Sequence, residues 1–143
     1  MKVIVIDGQG GKMGQMIIER IKTANIPCEI TAVGTNSIAT SAMIKAGADA
    51  GATGENPVVV ASRDADVIIG PIGVITADSL LGEITPTMAA AVGSSKAKKL
   101  LLPVNLCNNI IVGTGSLSIS KLISEAVEEL AKIANLSGTS QII

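Results

Sequence analysis

The feature that most constrains this chain is the run Val3-Ile4-Val5-Ile6-Asp7-Gly8-Gln9-Gly10-Gly11-Lys12-Met13-Gly14, where an apolar stretch passes through a glycine-rich turn into helix-forming residues. Four β-branched residues in a row, without polar alternation, predict a strand buried on both faces. Such a strand belongs in a largely parallel sheet with helices on either side. In the turn, Gly8 permits the tight bend, Gly11 lets a phosphate approach the backbone, and Gly14 lets the helix pack closely on the strand. Unpaired N–H groups and the helix dipole would face the anion. The loop therefore reads as a phosphate-binding loop, with Gly8, Gln9, Gly10, Gly11, Lys12, Met13 and Gly14 as candidate contacts. The plainer alternative is a tight strand-to-helix turn that holds no ligand.

Downstream, strand and helix signals alternate. A helix over about 12–23 stacks Met13, Ile17 and Ile21 on one face, and Pro27 blocks its continuation. Glu29 to Val33 reads as the second strand. Asn36 or Ser37 caps a helix to about Ala46, with Gly47 at its end. A short strand is expected near 49–52, followed by a helix over about 57–62 capped by Asn56. Two strands so close in sequence as Val58–Val60 and Val67–Ile69 leave no room for a parallel crossover, so the first of them is assigned to helix. Val67 to Gly70 is a buried strand, and Gly70-Pro71-Ile72-Gly73 a tight apolar loop. Thr85-Pro86 starts a helix to about Ser94. Lys99 to Val104 is a further strand, and Asn109 to Gly113 follows too closely to be anything but antiparallel. The final helix starts at Ser118 or Ser120, carries an apolar stripe through Ile119, Leu122, Ile123, Ala126, Val127, Leu130, Ile133 and Ala134, and gives way to a loose tail from Leu136. The pattern predicts one α/β domain over 1–143: a Rossmann-like, three-layer, doubly wound sheet, mostly parallel, with one antiparallel strand near its C-terminus.

Absences narrow the function. Histidine is missing, so no imidazole serves for acid–base work or for a metal. Phe, Trp and Tyr are missing, which removes base stacking, and a net charge of −1 offers no basic stripe for a phosphate backbone. Nucleic acid is therefore not an expected partner. The longest apolar stretch, 67–81, is broken by Pro71, Asp78 and glycines, so no membrane span and a cytoplasmic location are expected. Cys28 and Cys107 form no CxxC and read as reduced thiols. Hydrophobic residues make up 48% of a chain without aromatics, which implies that some apolar surface is buried in a homo-oligomer.

In a sheet of this kind, ligands lie beyond the carboxyl ends of the strands at the switch point. Three loops should meet there: Asp7–Gly11, Thr35–Ser37 and Gly70–Gly73. The candidate cofactor contacts are therefore Gly8 to Gly14, Thr35, Asn36, Ser37, Gly70, Pro71, Ile72 and Gly73, with Asn105 able to join them. An NAD site usually places an acid at the end of the second strand to hold the ribose hydroxyls. Here Thr35, Asn36 and Ser37 stand instead. Hydroxyls and an amide suit a 2′-phosphate or a plain ribose, though no arginine lies nearby. The expected cofactor is thus NAD(P), leaning to NADP, with a mononucleotide open. Asn36 and Ser37 also serve simply as helix caps. Asp7 is expected to bond loop amides rather than act catalytically, Glu83 to complement a helix dipole, and Lys12 to meet a phosphate. Cys107, in a polar loop, is expected to be more reactive than Cys28. No nucleophile–base pair is recognisable.

The loop Gly8-Gln9-Gly10-Gly11-Lys12-Met13-Gly14 resembles the cofactor loop of dihydrodipicolinate reductase and of prephenate dehydrogenase. That resemblance implies that Gly11, Lys12 and Met13 cradle the pyrophosphate of NAD(P), within the first 20 or so residues. Both families use a further substrate domain, and the reductase's catalytic histidine has no counterpart here. Over its whole length the chain is similar to a family of short, uncharacterised bacterial proteins with a domain of unknown function. The matching stretches are Asp7-Gly8-Gln9-Gly10-Gly11, Gly34-Thr35-Asn36-Ser37, Gly51-Ala52-Thr53-Gly54-Glu55-Asn56, Gly70-Pro71-Ile72-Gly73 and Gly82-Glu83-Ile84-Thr85-Pro86. This wider resemblance implies no activity.

Overall fold

The first strand, β1 (Lys2–Asp7), is apolar on both faces because it lies at the centre of the sheet, paired in parallel with β2 (Glu29–Gly34) on one side and β4 (Val67–Pro71) on the other. In the computed structural model, which describes residues 1–104 and 108–140, β3 (Ala50–Thr53) and β5 (Lys98–Leu102) complete the order β3-β2-β1-β4-β5. All four pairings are parallel. Every connection therefore needs a crossover, and helices supply them: α1 (Lys12–Thr23), α2 (Ser37–Lys45), α3 (Glu55–Asp64) and α4 (Pro86–Ser94). The last helix, α5 (Ile119–Ser140), follows β5 and returns to pack on α1. The result is a Rossmann-like α/β sheet with helices on both faces.

Alternation along β1 divides the core in two. Val3 and Val5 point to the face covered by Ile17, Ile18 and Ile21 of α1, Met43 of α2, and Ile123, Val127 and Leu130 of α5. Ile4 and Ile6 point to the other face, against Val58 of α3, Met88 and Val92 of α4, and Leu80 and Ile84 of the segment before α4. The long stripe expected on the final helix is used for this packing, with Ile123, Val127 and Leu130 buried and Ile119 left about half exposed.

Several expectations are corrected. Asn109–Gly113 forms no antiparallel strand. Asn108, Gly113 and Gly115 all hold positive φ, and Ile110 and Val112 are 88% and 90% exposed, so the segment has neither strand backbone nor a face to pack on. β5 stops at Leu102, because Pro103 has no N–H to continue the ladder. The strand expected over 67–70 runs one residue further, so Pro71 ends β4 instead of belonging to the loop, and Gly70 and Pro71 pair with Leu101 and Leu102. A short 3-10 helix, Ile72–Ile75, follows them. α5 runs on to Ser140, so 136–140 is helix rather than loose tail. The segment 57–62 is helical within α3, as the crossover argument required, but the helix begins at Glu55 with Gly54 at its N-cap, so Asn56 lies inside the first turn and does not cap it.

Candidate functional site

The β1–α1 loop is closed by a turn in which the Gly11 N–H donates to the Gly8 carbonyl at 2.9 Å. Asp7, at the end of β1, is buried and accepts from the N–H groups of Gly8 and Gly14, both at 2.8 Å. Gly14 lies in the first turn of α1, so Asp7 acts as that helix's capping carboxylate, a service Gly11 at the N-cap position cannot give. Burial raises the Asp7 pKa above the ordinary carboxylate value; the Gly14 and Gly8 amides oppose that shift and the nearby Glu83 charge adds to it. The role expected of Asp7, bonding loop amides, is the one it takes.

The glycines of the loop have distinct tasks. A Cβ on Gly8 would lie 2.5 Å from the Thr35 hydroxyl oxygen, so its small size permits close approach of β2's end. Gly11 has φ +74°, and a Cβ there would lie 2.6 Å from Cα of Ala39 in α2. Its missing side chain therefore accommodates helix packing. Gly14 gives way to Met43 of α2 as well as to Asp7. Gly10 alone in this loop has nothing within 4 Å of a Cβ.

Glu83 is the residue whose place the sequence did not disclose. Its carboxylate accepts from the Gln9 N–H at 2.9 Å, the Thr35 hydroxyl at 3.0 Å and the Asn36 side-chain amide at 2.5 Å. Asn36 also caps α2 by accepting from the Ala39 N–H at 2.9 Å, and donates to the Gln9 carbonyl at 2.9 Å. Gln9, pinned through both its N–H and its carbonyl, holds a left-handed φ of 50°. A non-glycine residue in that region persists only where its surroundings over-determine it. Glu83 itself is held between two buried anchors, Leu80 and Ile84, in a segment with positive φ at Asp78, Leu80, Leu81 and Gly82. The Gly82-Glu83 pair just before the Thr85 cap was visible in the sequence, but it gave no sign that this carboxylate reaches across to β2.

A cavity of about 160 Å³ lies against the loop, lined by Asp7, Gly8, Gln9, Gly10, Gly11, Lys12, Met13, Met16 and Ile119. Lys12 is the one cation among its described lining residues. The volume suits a phosphate group rather than a whole nucleotide, since pockets that enclose small molecules run to roughly 300–1,000 Å³.

The family model described as a domain of unknown function (DUF3842) matches residues 2–135. The chain belongs to that family. No curated protein and no solved structure matches it.

This DUF3842 domain brings together part of the predicted site. Gly8 to Met13 line the cavity, while Thr35 and Asn36 stand beside the loop through Glu83. Ser37, the first residue of α2, is exposed and borders a separate groove with Gln15, Ile38 and Lys45. Gly70 to Gly73 do not line the cavity. Leu80, 2% exposed, comes within 3.1 Å of a Cβ placed on Gly8 and 3.7 Å of one on Gly73, so its side chain fills the crevice expected to stay open between those loops. Met16 and Ile119 are cavity residues that the motif did not mark. Asn105 and Cys107 lie outside the described residues. Cys28 is a free, half-buried thiol whose pKa burial pushes up, which makes it a poor nucleophile. Among the described residues no helix is long and apolar enough to cross a membrane.

Proposed function

We propose that this protein binds a nucleotide, NAD(P) first among the candidates, with a phosphate seated against Gly8–Met13 and the nucleoside portions lying across the strand ends. The observation that supports this reading is the cavity over the glycine loop at the start of α1, beside the point where the chain switches from β1 to β2 on one side and β4 on the other. The resemblance of the loop to the cofactor loops of dihydrodipicolinate reductase and prephenate dehydrogenase points the same way. The protein acts in the cytoplasm as a homo-oligomer whose contacts cover exposed residues such as Ile110 and Val112. A small oxidoreductase is the catalytic form of this reading.

A second form, a nucleotide-responsive sensor or assembly subunit, is favoured by one observation. The carboxylates at the loop, Asp7 and Glu83, are already occupied by amide and hydroxyl donors, which leaves few groups for proton transfer. Turnover of a reduced nicotinamide by the purified protein would separate the two forms.

The binding test is an ultraviolet spectrum of the purified protein joined to a titration with NADH. Lacking Trp, Tyr and Phe, the chain is nearly transparent in the near-ultraviolet, so an adenine or reduced-nicotinamide band belongs to a bound molecule. Gly10→Asp is the informative variant. Its side chain enters open space, whereas a residue at Gly11 would be driven into α2. Loss of NADH binding by Gly10→Asp, with an unchanged far-ultraviolet circular dichroism spectrum, is the expected result. Undiminished binding by that variant would remove the loop assignment.

A further inference from the structure

We infer that Glu83 is the specificity-determining residue of the nucleotide site, accepting the hydroxyls of an unmodified ribose and excluding a ribose 2′-phosphate. The inference rests on the nucleotide reading above and gives it a direction the sequence did not: towards NAD-type and other unphosphorylated-ribose ligands and away from NADP. In dinucleotide-binding sheets the ribose is held by an acid at the end of the second strand. Here β2 ends in Gly34, Thr35 and Asn36 without one. Glu83 supplies a carboxylate at that same place from a different part of the chain, carried there by the segment between the 3-10 helix and α4.

The donor arrangement leaves it available. Oε1 accepts from Thr35 and Asn36, while Oε2, among the described residues, accepts only from the Gln9 N–H. An ionised carboxylate offers about four lone-pair positions, so Oε2 retains capacity for a hydroxyl. Gln9 both donates to this carboxylate and lines the phosphate-sized cavity, so one loop residue borders the two.

The same carboxylate is a poor neighbour for a phosphate. A phosphate monoester at the 2′ position presents mainly acceptors and negative charge, and Glu83 can donate nothing in return. Compensation would need a cation, yet neither 34–44 nor 76–85 contains Lys or Arg. Nor does Glu83 have an easy retreat: Leu80 and Ile84 are buried on either side of it, and three hydrogen bonds hold its carboxylate.

The test is equilibrium titration of the full chain with NADH and with NADPH, read by the reduced-nicotinamide signal, for the wild type and for Glu83→Gln. NADH is expected to bind at least about tenfold more tightly than NADPH, as one charge-assisted hydrogen bond gained against one repulsion would give. Glu83→Gln should bring the two affinities to within about threefold. A measurement that needs no variant sets ADP against 2′-deoxy-ADP on the wild type, where the deoxy ligand is expected to bind about tenfold more weakly. NADPH binding as tightly as NADH, or equal affinity for ADP and 2′-deoxy-ADP, would overturn the role of Glu83 and leave the nucleotide reading standing. Binding of none of these ligands would overturn both.

Discussion

Adding one methyl group at Gly11 should destabilise the fold far more than the same change one residue earlier. Two costs meet at Gly11. Its φ of +74° is the left-handed region, where a Cβ costs roughly 1–2 kcal/mol. That Cβ would also lie 2.6 Å from Cα and 2.9 Å from the carbonyl oxygen of Ala39, in backbone that cannot rotate away. Overpacking of this kind costs about 1–3 kcal/mol. Together they predict a loss of roughly 2–5 kcal/mol for Gly11→Ala, a large part of the ~5–15 kcal/mol that holds such a domain together. Gly10 has no positive φ and meets nothing within 4 Å, so Gly10→Ala should lie near zero or stabilise by up to ~1 kcal/mol through the unfolded chain. Urea unfolding followed by far-ultraviolet circular dichroism is the suitable assay, since the chain has no aromatic fluorophore. A difference between the two variants under about 1 kcal/mol would refute the claim that α1 and α2 meet through the missing side chain of Gly11.

Three further outcomes are expected. Burial holds the Asp7 pKa above its unfolded value, so the folded chain keeps that proton more tightly; the contribution of this group to stability is fullest below the ordinary carboxylate pKa and is lost as pH rises through the raised one. Urea midpoints across that window should show this falling component in the wild type and not in Asp7→Asn, and identical slopes would contradict it. Asn36→Ala removes the α2 cap together with the bonds to Gln9 and Glu83, and should cost about 2–3 kcal/mol, against a loss under about 0.5 kcal/mol if those bonds carry nothing. Leu130→Ala, at a fully buried position where α5 packs into the core beside α1, should cost about 2–5 kcal/mol and expose the α5 amides to hydrogen exchange. Wild-type exchange rates in α5 of that variant would show that the helix is not held by this stripe.

What could be read from the residues was whatever depends on neighbours in the chain. The unbroken apolar run of β1, the 3.6-residue stripe of α1 and the caps Asn36 and Thr85 each carry their own local signal, and each lies where that signal put it. The parallel sheet followed from the unbroken apolar run of β1 and the alternation of strand and helix signals, since each parallel pairing needs a crossover. The segment 109–113 has strand-forming residues, but Gly113 holds a positive φ and Ile110 and Val112 stay exposed, so its propensity decided nothing.

The site depended on contacts between residues far apart in sequence. Glu83 and Gln9 stand 74 positions apart, and nothing in the neighbourhood of either indicates the other. The same holds for Leu80, which fills the crevice between Gly8 and Gly73, and for Gly11, whose bareness serves α2. A parallel sheet wrapped by helices and a glycine loop at the start of α1 were legible in the residues, since backbone sterics and hydrophobic period act locally. Which carboxylates stand at that loop, and how much space remains beside it, depends on the folded chain, because side chains meet there only after the crossovers have brought distant strand ends together.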